Sequence, residues 1–373
     1  MADGAAVLIA AISGRALAAS ARRGGYLPLV ADFFGDEDTL QVAQAHVRFG
    51  GKLAQGIEEE PLMRALHRLS EREEPLGIVC GTGFEDRTQL LADVARRWRL
   101  FGNEAQTVAK VKDPGLLSSI CAASDIPFPE LSPTKPAAPA DWLAKRTGGS
   151  GGSHIKPARQ SPAGESAIYY QRKKPGIPIS ALFLADGTQA SVLGFSEQWS
   201  SPASGKPYRY GGAVRPAPLA PRAAATLAAA VDRLVPAAPL VGLNSADFLV
   251  DGECFWLLDV NPRPGATLDI FEPPEASLFV RHMQACAGKL GSAPRYADGA
   301  EAAAVVYAEH DIGSAPLLDW PDWSADRPSA GSAIGAGEPL CTVYACGSAA
   351  AGAKALANER RELVLAWMGA RQQ

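Results

Sequence analysis

The stretch Leu243–Gly265, LNSADFLVDGECFWLLDVNPRPG, contains the pattern on which the fold prediction rests. Two apolar runs, Ala246–Val250 and Cys254–Val260, flank Asp251-Gly252. An Asp-Gly pair between two apolar runs is a strong short-range signal for a β-hairpin. The stretch therefore predicts two antiparallel strands joined by a tight turn.

Three oxygen-bearing side chains occur on these strands where an apolar residue would be expected: Asp247, Asp259 and Asn261. Asp259 and Asn261 are two residues apart, so an extended chain points them to one face. Asp247 shares that face only if the turn has an odd number of residues, for example Asp251-Gly252-Glu253, because a two-residue turn would send it to the other side. Two carboxylates and an amide oxygen suit Mg²⁺, or alternatively Mn²⁺, with water and phosphates as further ligands. The alternative is a hairpin whose Asp and Asn side chains only satisfy turn backbone groups.

Arg263 follows the second strand and stands between Pro262 and Pro264. The two prolines stiffen the backbone around the arginine. A guanidinium held rigidly beside a metal is placed to neutralise a transferring phosphoryl group. A hairpin with a purely structural turn would not account for this arginine.

Composition narrows the class of protein. The chain has 373 residues, 47% of them hydrophobic, and a formal net charge of −4, which indicates a globular protein of two or three packed units. The near-neutral charge and the absence of a long basic or apolar tract argue against nucleic acid or membrane as a partner. Six scattered cysteines are typical of free thiols in a reducing cytoplasm. We therefore expect a cytoplasmic protein acting on small molecules, with its oligomeric state open and a homodimer as one candidate.

The first hundred residues alternate strand and helix patterns. Ala5–Ile12 is an apolar run that ends at Ser13-Gly14-Arg15, and a later run ends at Gly81–Glu85. This order predicts a parallel α/β sheet, in which the carboxyl ends of the strands form a ligand crevice. Ser13, Arg15 and Glu85 are therefore candidate substrate residues, although the glycines could equally serve as tight turns. The dinucleotide fingerprint is missing from both turns.

A glycine-rich tract, Gly148–Ser153, follows a short predicted strand that ends with Lys145. Bare backbone N–H groups in such a loop can fold over phosphates. A Gly/Ser tract can also be a plain linker. The lysine before it favours the phosphate interpretation.

Two further segments contain lysine and arginine residues in sequence contexts typical of a surface. Arg172–Lys174 interrupts a strand pattern, and Ser200–Pro218 is predicted as a long irregular loop that contains Tyr208–Gly212. Long loops without regular structure are often functional. Lys174, Arg209 and Tyr210 are therefore candidate substrate residues, with a solvated surface role as the alternative.

Taken in order, these features resemble the ATP-grasp superfamily of carboxylate–amine ligases over roughly residues 110–265. The matching positions are Lys112, Lys145, Gln171 with Gly176 five residues on, Asp247, and the run Asp259-x-Asn261-x-Arg263. The resemblance implies an α/β and α+β ATP-grasp fold with an N-terminal Rossmann-like domain. It implies domains at 1–105 (Rossmann-like), 106–175 (lid with the glycine-rich loop) and 176–373 (ATP-grasp subdomain with the metal site).

The resemblance also implies roles. ATP would be bound by Lys112, Lys145, Gly148, Gly149, Ser150, Gly151, Gly152, Ser153, Gln171, Arg172 and Lys173. Mg²⁺ would be held by Asp247, Asp259 and Asn261, and the catalytic residues would be Arg263 and Lys145. Two positions depart from the family pattern: Asp259 stands where glutamate is usual, and Arg172–Lys174 stands where an acidic residue is common. The ribose-binding residue is left unassigned.

Within the superfamily, Gly81–Glu85, Gly102-Asn103 and the Tyr208–Gly212 segment are most similar to tyramine–glutamate ligases of methanofuran or methylofuran biosynthesis. This similarity implies an amide bond between glutamate and a small aromatic amine, formed through an acyl phosphate. The alternatives are an ATP-grasp kinase, another amino-acid ligase, or a non-catalytic nucleotide-binding protein.

Overall fold

The computed structural model describes residues 4–161, 167–294, 296 and 298–370. Its strands form three sheets: a parallel sheet within 6–80, a small antiparallel sheet within 131–172, and a large antiparallel sheet within 177–347. The predicted domain borders at 105 and 175 fall between these sheets, and the division into domains stays a prediction. None of the helices in the described ranges has the length and apolar character that a bilayer crossing requires.

The N-terminal sheet has the strand order β3-β2-β1-β4, and its pairs are parallel. Its strands and helices are β1 (Ala6–Ala10), α1 (Arg15–Arg23), β2 (Leu27–Asp32), α2 (Glu37–Val42), β3 (Ala45–Arg48), α3 (Glu59–Ser70), β4 (Ile78–Cys80) and α4 (Thr88–Ala95). Every residue of β1 is buried, because Leu17 of α1 covers Ile9 on one face and Leu66 of α3 covers Leu8 on the other. Burial on both faces explains why β1 is a continuous apolar run.

The middle of the chain forms the small sheet, with strand order β5-β8-β6-β7. Its elements are α5 (Ala105–Lys112), α6 (Pro114–Ala123), β5 (Leu131–Ser132), β6 (Trp142–Arg146), β7 (Lys156–Pro157) and β8 (Ile168–Arg172). The helix α6 begins as the Asp113-Pro114 pair predicts: the Asp113 side chain accepts a hydrogen bond from the Leu116 N–H and Pro114 occupies the first turn.

The large sheet has the order β13-β12-β9-β10-β11-β14-β16-β15. Its elements are β9 (Ile177–Asp186), β10 (Ala190–Ser200), β11 (Tyr210–Arg215), α7 (Pro221–Ala237), β12 (Val241–Asp251), β13 (Cys254–Asn261), α8 (Leu268–Phe271), α9 (Leu278–Cys286), β14 (Ala300–Tyr307), β15 (Ser324–Ala325), β16 (Pro339–Gly347) and α10 (Ala350–Ala370). The prediction of an irregular loop over Ser200–Pro218 is wrong in part, because β11 lies within it and pairs with β10 and β14. Two glycines at the start of β11 hid the strand pattern.

The two faces of the large sheet are covered differently. On one face Phe183 and Phe248 pack with Val231 of α7. On the other face Leu184 and Leu243 belong to a cluster with Leu17 of α1 and Phe279 of α9. Further along the same second face the side chains become polar, and this polar end forms one wall of the site described next.

Candidate functional site

The predicted hairpin places Asp247 and Asp259 directly opposite each other, but not by the predicted odd-length turn. Asp251 pairs with Cys254, so the turn has two residues. Phe248 pairs with Leu257 and Asp247 with Asp259, which leaves Leu258 as an extra residue, a β-bulge. The bulge changes which residues of β13 face the cleft, so Asp247, Asp259 and Asn261 lie together despite the two-residue turn.

Lys112, at the end of α5, reaches the oxygen atoms of this hairpin. Its Nζ lies 3.0 and 2.8 Å from the two carboxylate oxygens of Asp259 and 3.1 Å from Asn261 Oδ1. The lysine is 7% exposed. The oxygen atoms of Asp259 and Asn261 therefore bind the ammonium group of Lys112. Oxygen atoms that stabilise one positive charge in this way are suited to binding a cation.

Asp247 is held by neighbouring polar side chains. Its carboxylate accepts hydrogen bonds from Ser180 Oγ (2.7 Å), Asn261 Nδ2 (3.0 Å) and Gln198 Nε2 (3.4 Å). Burial, and then the charge of Asp259, raise the pKa of Asp247. A cation bound beside Asp247 would offset the effect of the Asp259 charge on it.

The opposite wall of the cleft is the small sheet. Lys145 on β6 pairs with Tyr169 on β8, and Lys145 is 5% exposed. Burial lowers the pKa of Lys145 to about 8, with Lys112 acting in the same direction and Asp259 and Asp247 opposing it. Burial and the charge of Asp259 raise the pKa of Tyr169. The charge of Asp259 acts on both Lys145 and Tyr169, so β6 and β8 lie close to the candidate metal ligands on β12 and β13.

The glycine-rich loop closes one side of the cleft. The carbonyl of Gly151 accepts a hydrogen bond from the Tyr210 N–H (2.9 Å). A Cβ on Gly152 would come within 1.9 Å of the Tyr208 carbonyl oxygen, and one on Gly148 within 2.8 Å of Asp86 Cβ. Glycine is required at both positions, because their φ angles are also positive. The loop thus touches both the large sheet and the N-terminal domain.

Gln171 is the most buried residue of the predicted nucleotide-binding segment Gln171–Lys173. It is 1% exposed, and its Nε2 has no hydrogen-bond partner among the residues described. Its position two residues after Tyr169 places it on the same face of β8. An unpaired buried amide is costly unless a ligand or water satisfies it, so Gln171 fits a nucleotide contact.

The cations after Gln171 have protein partners. Arg172 bonds Glu130 (2.7 Å) and lies over the Trp142 ring, and the Lys173 ammonium donates to the Ala140 carbonyl (3.1 Å). The side chains of Arg172 and Lys173 are therefore engaged away from the hairpin, and a nucleotide contact from this segment would have to use backbone atoms.

Arg263 leaves the hairpin and binds Glu85 of the N-terminal domain. Arg263 Nε donates to Glu85 Oε1 at 2.8 Å, while Glu85 Oε2 accepts from the Gly83 N–H at 2.7 Å. Burial alone would raise the pKa of Glu85, but Arg263, Lys112 and the Gly83 N–H outweigh burial and lower it. The Nη2 atom of Arg263 also donates to Asn261 Oδ1, at 3.4 Å. Glu85 thus orients the arginine at the edge of the site.

Arg15 and Ser13 belong to a separate network. Arg15 bonds Asp269 at 3.0 and 2.5 Å, Asp326 at 2.9 Å and the Tyr344 hydroxyl at 2.9 Å. Ser13 Oγ also donates to Asp326 (3.2 Å). Every guanidinium nitrogen of Arg15 has a partner, so the arginine joins the N-terminal domain to the C-terminal strands. The predicted substrate contact would compete with these bonds.

Arg209 and Lys174 are likewise engaged. Arg209 donates to the carbonyls of Ser201 (3.0 Å) and Gly337 (3.3 Å), and its guanidinium stacks 3.6 Å from the centre of the Tyr307 ring. The Lys174 ammonium lies 5.2 Å from the centre of the Trp256 ring. Arg209 therefore braces the segment against which the glycine-rich loop packs.

The donor set fits magnesium better than zinc. In the described part of the chain, no group of three or more His, Cys, Asp and Glu side chains could hold a metal ion. Asp247, Asp259 and Asn261 offer only hard oxygen atoms, and Mg²⁺ often takes one or two carboxylates and completes its shell with water and phosphate oxygens. The cleft thus fits a metal that arrives with a nucleotide.

Three contributors were missed by the sequence reasoning: Ser180, Gln198 and His154. Ser180 and Gln198 hydrogen-bond Asp247, and Ser180 could have been noticed as a polar residue within the apolar strand β9. His154 directly follows the glycine-rich tract, which is the signal that could have identified it.

Comparisons with known proteins agree with this architecture. Residues 117–267 match the family model described as an ATP-grasp domain, and no curated protein matches the chain. Among solved structures, the biotin carboxylase of Campylobacter jejuni in complex with β-γ-ATP is 15% identical, with a TM-score of 0.71 over 94% of this chain and 89% of that one.

Two other structures extend the comparison. The biotin carboxylase domain of the Hydrogenobacter thermophilus 2-oxoglutarate carboxylase, solved with MgADP and bicarbonate, is 12% identical, with a TM-score of 0.69 over 92% and 86% of the chains. The N5-carboxyaminoimidazole ribonucleotide synthetase of Thermus thermophilus is 18% identical, with a TM-score of 0.65 over 91% and 92%. The protein therefore has an ATP-grasp fold with a parallel four-stranded sheet in its N-terminal region, which confirms the predicted fold class.

Proposed function

We propose that the protein is an ATP-dependent carboxylate–amine ligase that uses Mg²⁺. The observation that carries the proposal is the grouping of two buried lysines with the hairpin oxygens: Lys112 contacts Asp259 and Asn261, and Lys145 is close enough to Asp259 and Asp247 for their charges to act on its pKa. The glycine-rich loop would cover these groups. Cations for phosphates, oxygens for a metal and a covering loop are what phosphoryl transfer requires, because that reaction depends mainly on positioning and charge stabilisation.

In the proposed reaction, a substrate carboxylate oxygen attacks the γ-phosphorus of ATP and the bond to the ADP oxygen breaks. The amine then attacks the acyl phosphate carbon, inorganic phosphate leaves, and the nitrogen loses a proton to give the amide. Bound Mg²⁺ would supply charge neutralisation at the phosphate oxygens. Lys145 and Arg263 would offset the charge that develops on the transferred group.

The glycine-rich loop would exclude water while the acyl phosphate exists. Its contacts with Tyr208 and Tyr210 are the ones that a closed loop would use in this proposal. Opening of the loop would break the hydrogen bond from the Tyr210 N–H to the Gly151 carbonyl.

The compared structures support the nucleotide part of the proposal. The biotin carboxylase was solved as a complex with β-γ-ATP and the 2-oxoglutarate carboxylase domain as a complex with MgADP. The latter is described as a dimer, and a homodimer is the oligomeric state we propose to test first.

The finer substrate assignment rests on the sequence resemblance alone. We propose glutamate as the acid and a tyramine- or tyrosine-like aromatic amine as its partner, in methylofuran-type cofactor biosynthesis. A cytoplasmic location is part of the same proposal. Purified protein incubated with ATP, Mg²⁺, glutamate and a panel of aromatic amines, followed by mass spectrometry, would identify an amide product.

The site assignment is tested by Asp259→Ala and Asn261→Ala. Each is expected to lower ATP turnover at least about a hundredfold while the circular dichroism spectrum stays unchanged, because one lost transition-state contact costs about 3 kcal/mol. Asp251→Ala, at the exposed turn of the same hairpin, is the matched control and should retain activity. Wild-type turnover in either site variant would remove the metal assignment.

Two other functions can be separated from a ligase by experiment. A kinase on the same fold would release ADP without consuming amine, so the amine must be quantified beside ADP. One observation favours a non-catalytic nucleotide-binding protein: the side chains of Arg172 and Lys173, next to Gln171, already have protein partners. That reading predicts nucleotide binding with no ADP formation for any amine in the panel.

A further inference from the structure

His154 is a titratable residue at the end of the glycine-rich loop that the proposed mechanism does not yet use. Its Nδ1 lies 3.3 Å from the Ser150 carbonyl oxygen. Its ring also fills the space above Gly149, where an added Cβ would come within 2.4 Å of the ring carbons. The imidazole is therefore folded back onto the loop that would cover the nucleotide phosphates.

The hydrogen bond to Ser150 decides which nitrogen is available. A carbonyl only accepts, so the proton of the neutral ring is on Nδ1 when this bond forms. Nε2 is not among the three ring atoms nearest to Gly149, and no hydrogen bond joins it to another of the described residues. The loop thus leaves one ring nitrogen free for a ligand.

The charges around the ring are those of the proposed phosphate site. Burial, followed by the charge of Lys145, lowers the pKa of His154 to about 4; Lys112 acts in the same direction, and Asp259 and the Ser150 carbonyl oppose them. The two lysines and Asp259 are also the groups that face the cleft from α5, β6 and β13. A phosphate entering between them would bring negative charge to His154 and reverse this balance.

We propose that His154 is a phosphate-binding residue of the glycine-rich loop, whose imidazole contacts the nucleotide phosphate that lies beside Lys145. The inference rests on the proposed function and adds a side-chain contact to a loop that would otherwise use backbone N–H groups. Since Nδ1 stays with Ser150, the contact requires a proton on Nε2. Nucleotide binding is therefore accompanied by proton uptake at His154.

A purely structural role would consist of the ring packing on Gly149. His154→Phe separates the two roles, because it keeps an aromatic ring over Gly149 and removes both nitrogens. His154→Gln is the second variant, since it keeps a neutral hydrogen-bonding group but cannot become a cation. Thermal unfolding of both variants shows whether the fold survives the change.

The experiment is isothermal titration calorimetry of the full chain at pH 6.5 with Mg²⁺·AMP-PNP, Mg²⁺·ADP and adenosine. At this pH Lys145 is already protonated and His154 is neutral in the free protein, so the proton uptake that wild type shows beyond His154→Phe, measured in two buffers of different ionisation enthalpy, reports on His154. We expect His154→Phe to weaken binding of the phosphorylated ligands about ten- to hundredfold, to reduce proton uptake, and to leave adenosine affinity unchanged. His154→Gln should lose the proton uptake as well.

Two results would overturn the inference in different ways. If wild-type protein binds Mg²⁺·AMP-PNP and His154→Phe binds it equally well with the same proton uptake, His154 only packs on Gly149 and the proposed ligase site stands. If wild-type protein binds neither AMP-PNP nor ADP, the proposed function and the inference both fail.

Discussion

Arg263 Nε lies 2.8 Å from Glu85 Oε1, although the two residues are 178 positions apart in the chain. Their side chains are 13% and 4% exposed. The ion pair ties the segment after the proposed metal-binding hairpin to the segment that follows β4 of the N-terminal sheet. The orientation of the proposed catalytic arginine therefore depends on a domain that contributes none of the hairpin oxygens.

Glu85→Ala is expected to destabilise the protein by about 3–5 kcal/mol, because it leaves the Arg263 guanidinium buried without its carboxylate. Urea unfolding of Glu85→Ala, Arg263→Ala and the double variant forms a double-mutant cycle. We expect the double variant to be less destabilised than the sum of the single variants. Additive losses would mean that the pair contributes no coupling energy.

Asn103 is expected to be important for stability. Its Nδ2 donates to Asn244 Oδ1 (2.7 Å) and to the Pro262 carbonyl (2.9 Å), and its Oδ1 accepts from the Val241 N–H (2.8 Å). Asn103→Ala should lower the free energy of unfolding by about 3 kcal/mol, since it leaves buried polar groups without partners. Gln89→Ala, which removes a longer 3.1 Å bond to Asp93, serves as the comparison. Equal losses in the two variants would contradict the prediction.

Asp36→Asn is expected to stabilise the protein more at pH 8 than at pH 5. Asp36 is 5% exposed, and burial together with Asp326, Asp32 and Asp38 raises its pKa from 3.8 to about 9. The pKa of Asp36 is higher in the folded protein than in the unfolded chain. The free energy of unfolding therefore decreases as the pH rises from 3.8 toward about 9. An amide cannot ionise, so the variant should gain on the order of 1 kcal/mol or more at pH 8 relative to pH 5. Chemical denaturation at both pH values measures this difference, and a pH-independent effect would refute it.

Nucleotide affinity is expected to fall above pH 8 through Lys145. The pKa of this buried lysine is lowered from 10.5 to about 8, so the free protein loses the ammonium as the pH rises through that value. If phosphates require the charged form, the affinity for Mg²⁺·ADP should drop by up to about tenfold per pH unit above 8. Lys145→Arg keeps its charge over this range and should show a flatter profile. Parallel profiles for the two proteins would exclude Lys145 as the titrating group.

The sequence predicted the fold class because its strongest signals were local. An Asp-Gly turn between apolar runs, a buried run before Ser13, and Asp113-Pro114 at a helix start each depend on neighbouring residues. The strand β11 was missed because its first residues, Tyr210-Gly211-Gly212, have turn composition and are extended only through pairing with β10 and β14.

The partners of charged side chains were harder to predict. Arg15 and Arg209 were candidate substrate residues, and the structure gives both of them partners far away in sequence, such as Asp326 and Tyr307. Sequence spacing cannot show which remote group neutralises a cation. The proposed metal ligands were found because the hairpin brings them together locally, and their roles stay predictions.

The bulge at Leu258 limits the number of residues that the turn of this hairpin can gain or lose during evolution. One extra residue in the turn would exchange the two faces of the second strand, moving Asp259 and Asn261 toward α7 and Leu257 toward the cleft. We therefore expect natural variants of the turn to differ by two residues, or to gain one and lose the bulge at the same time.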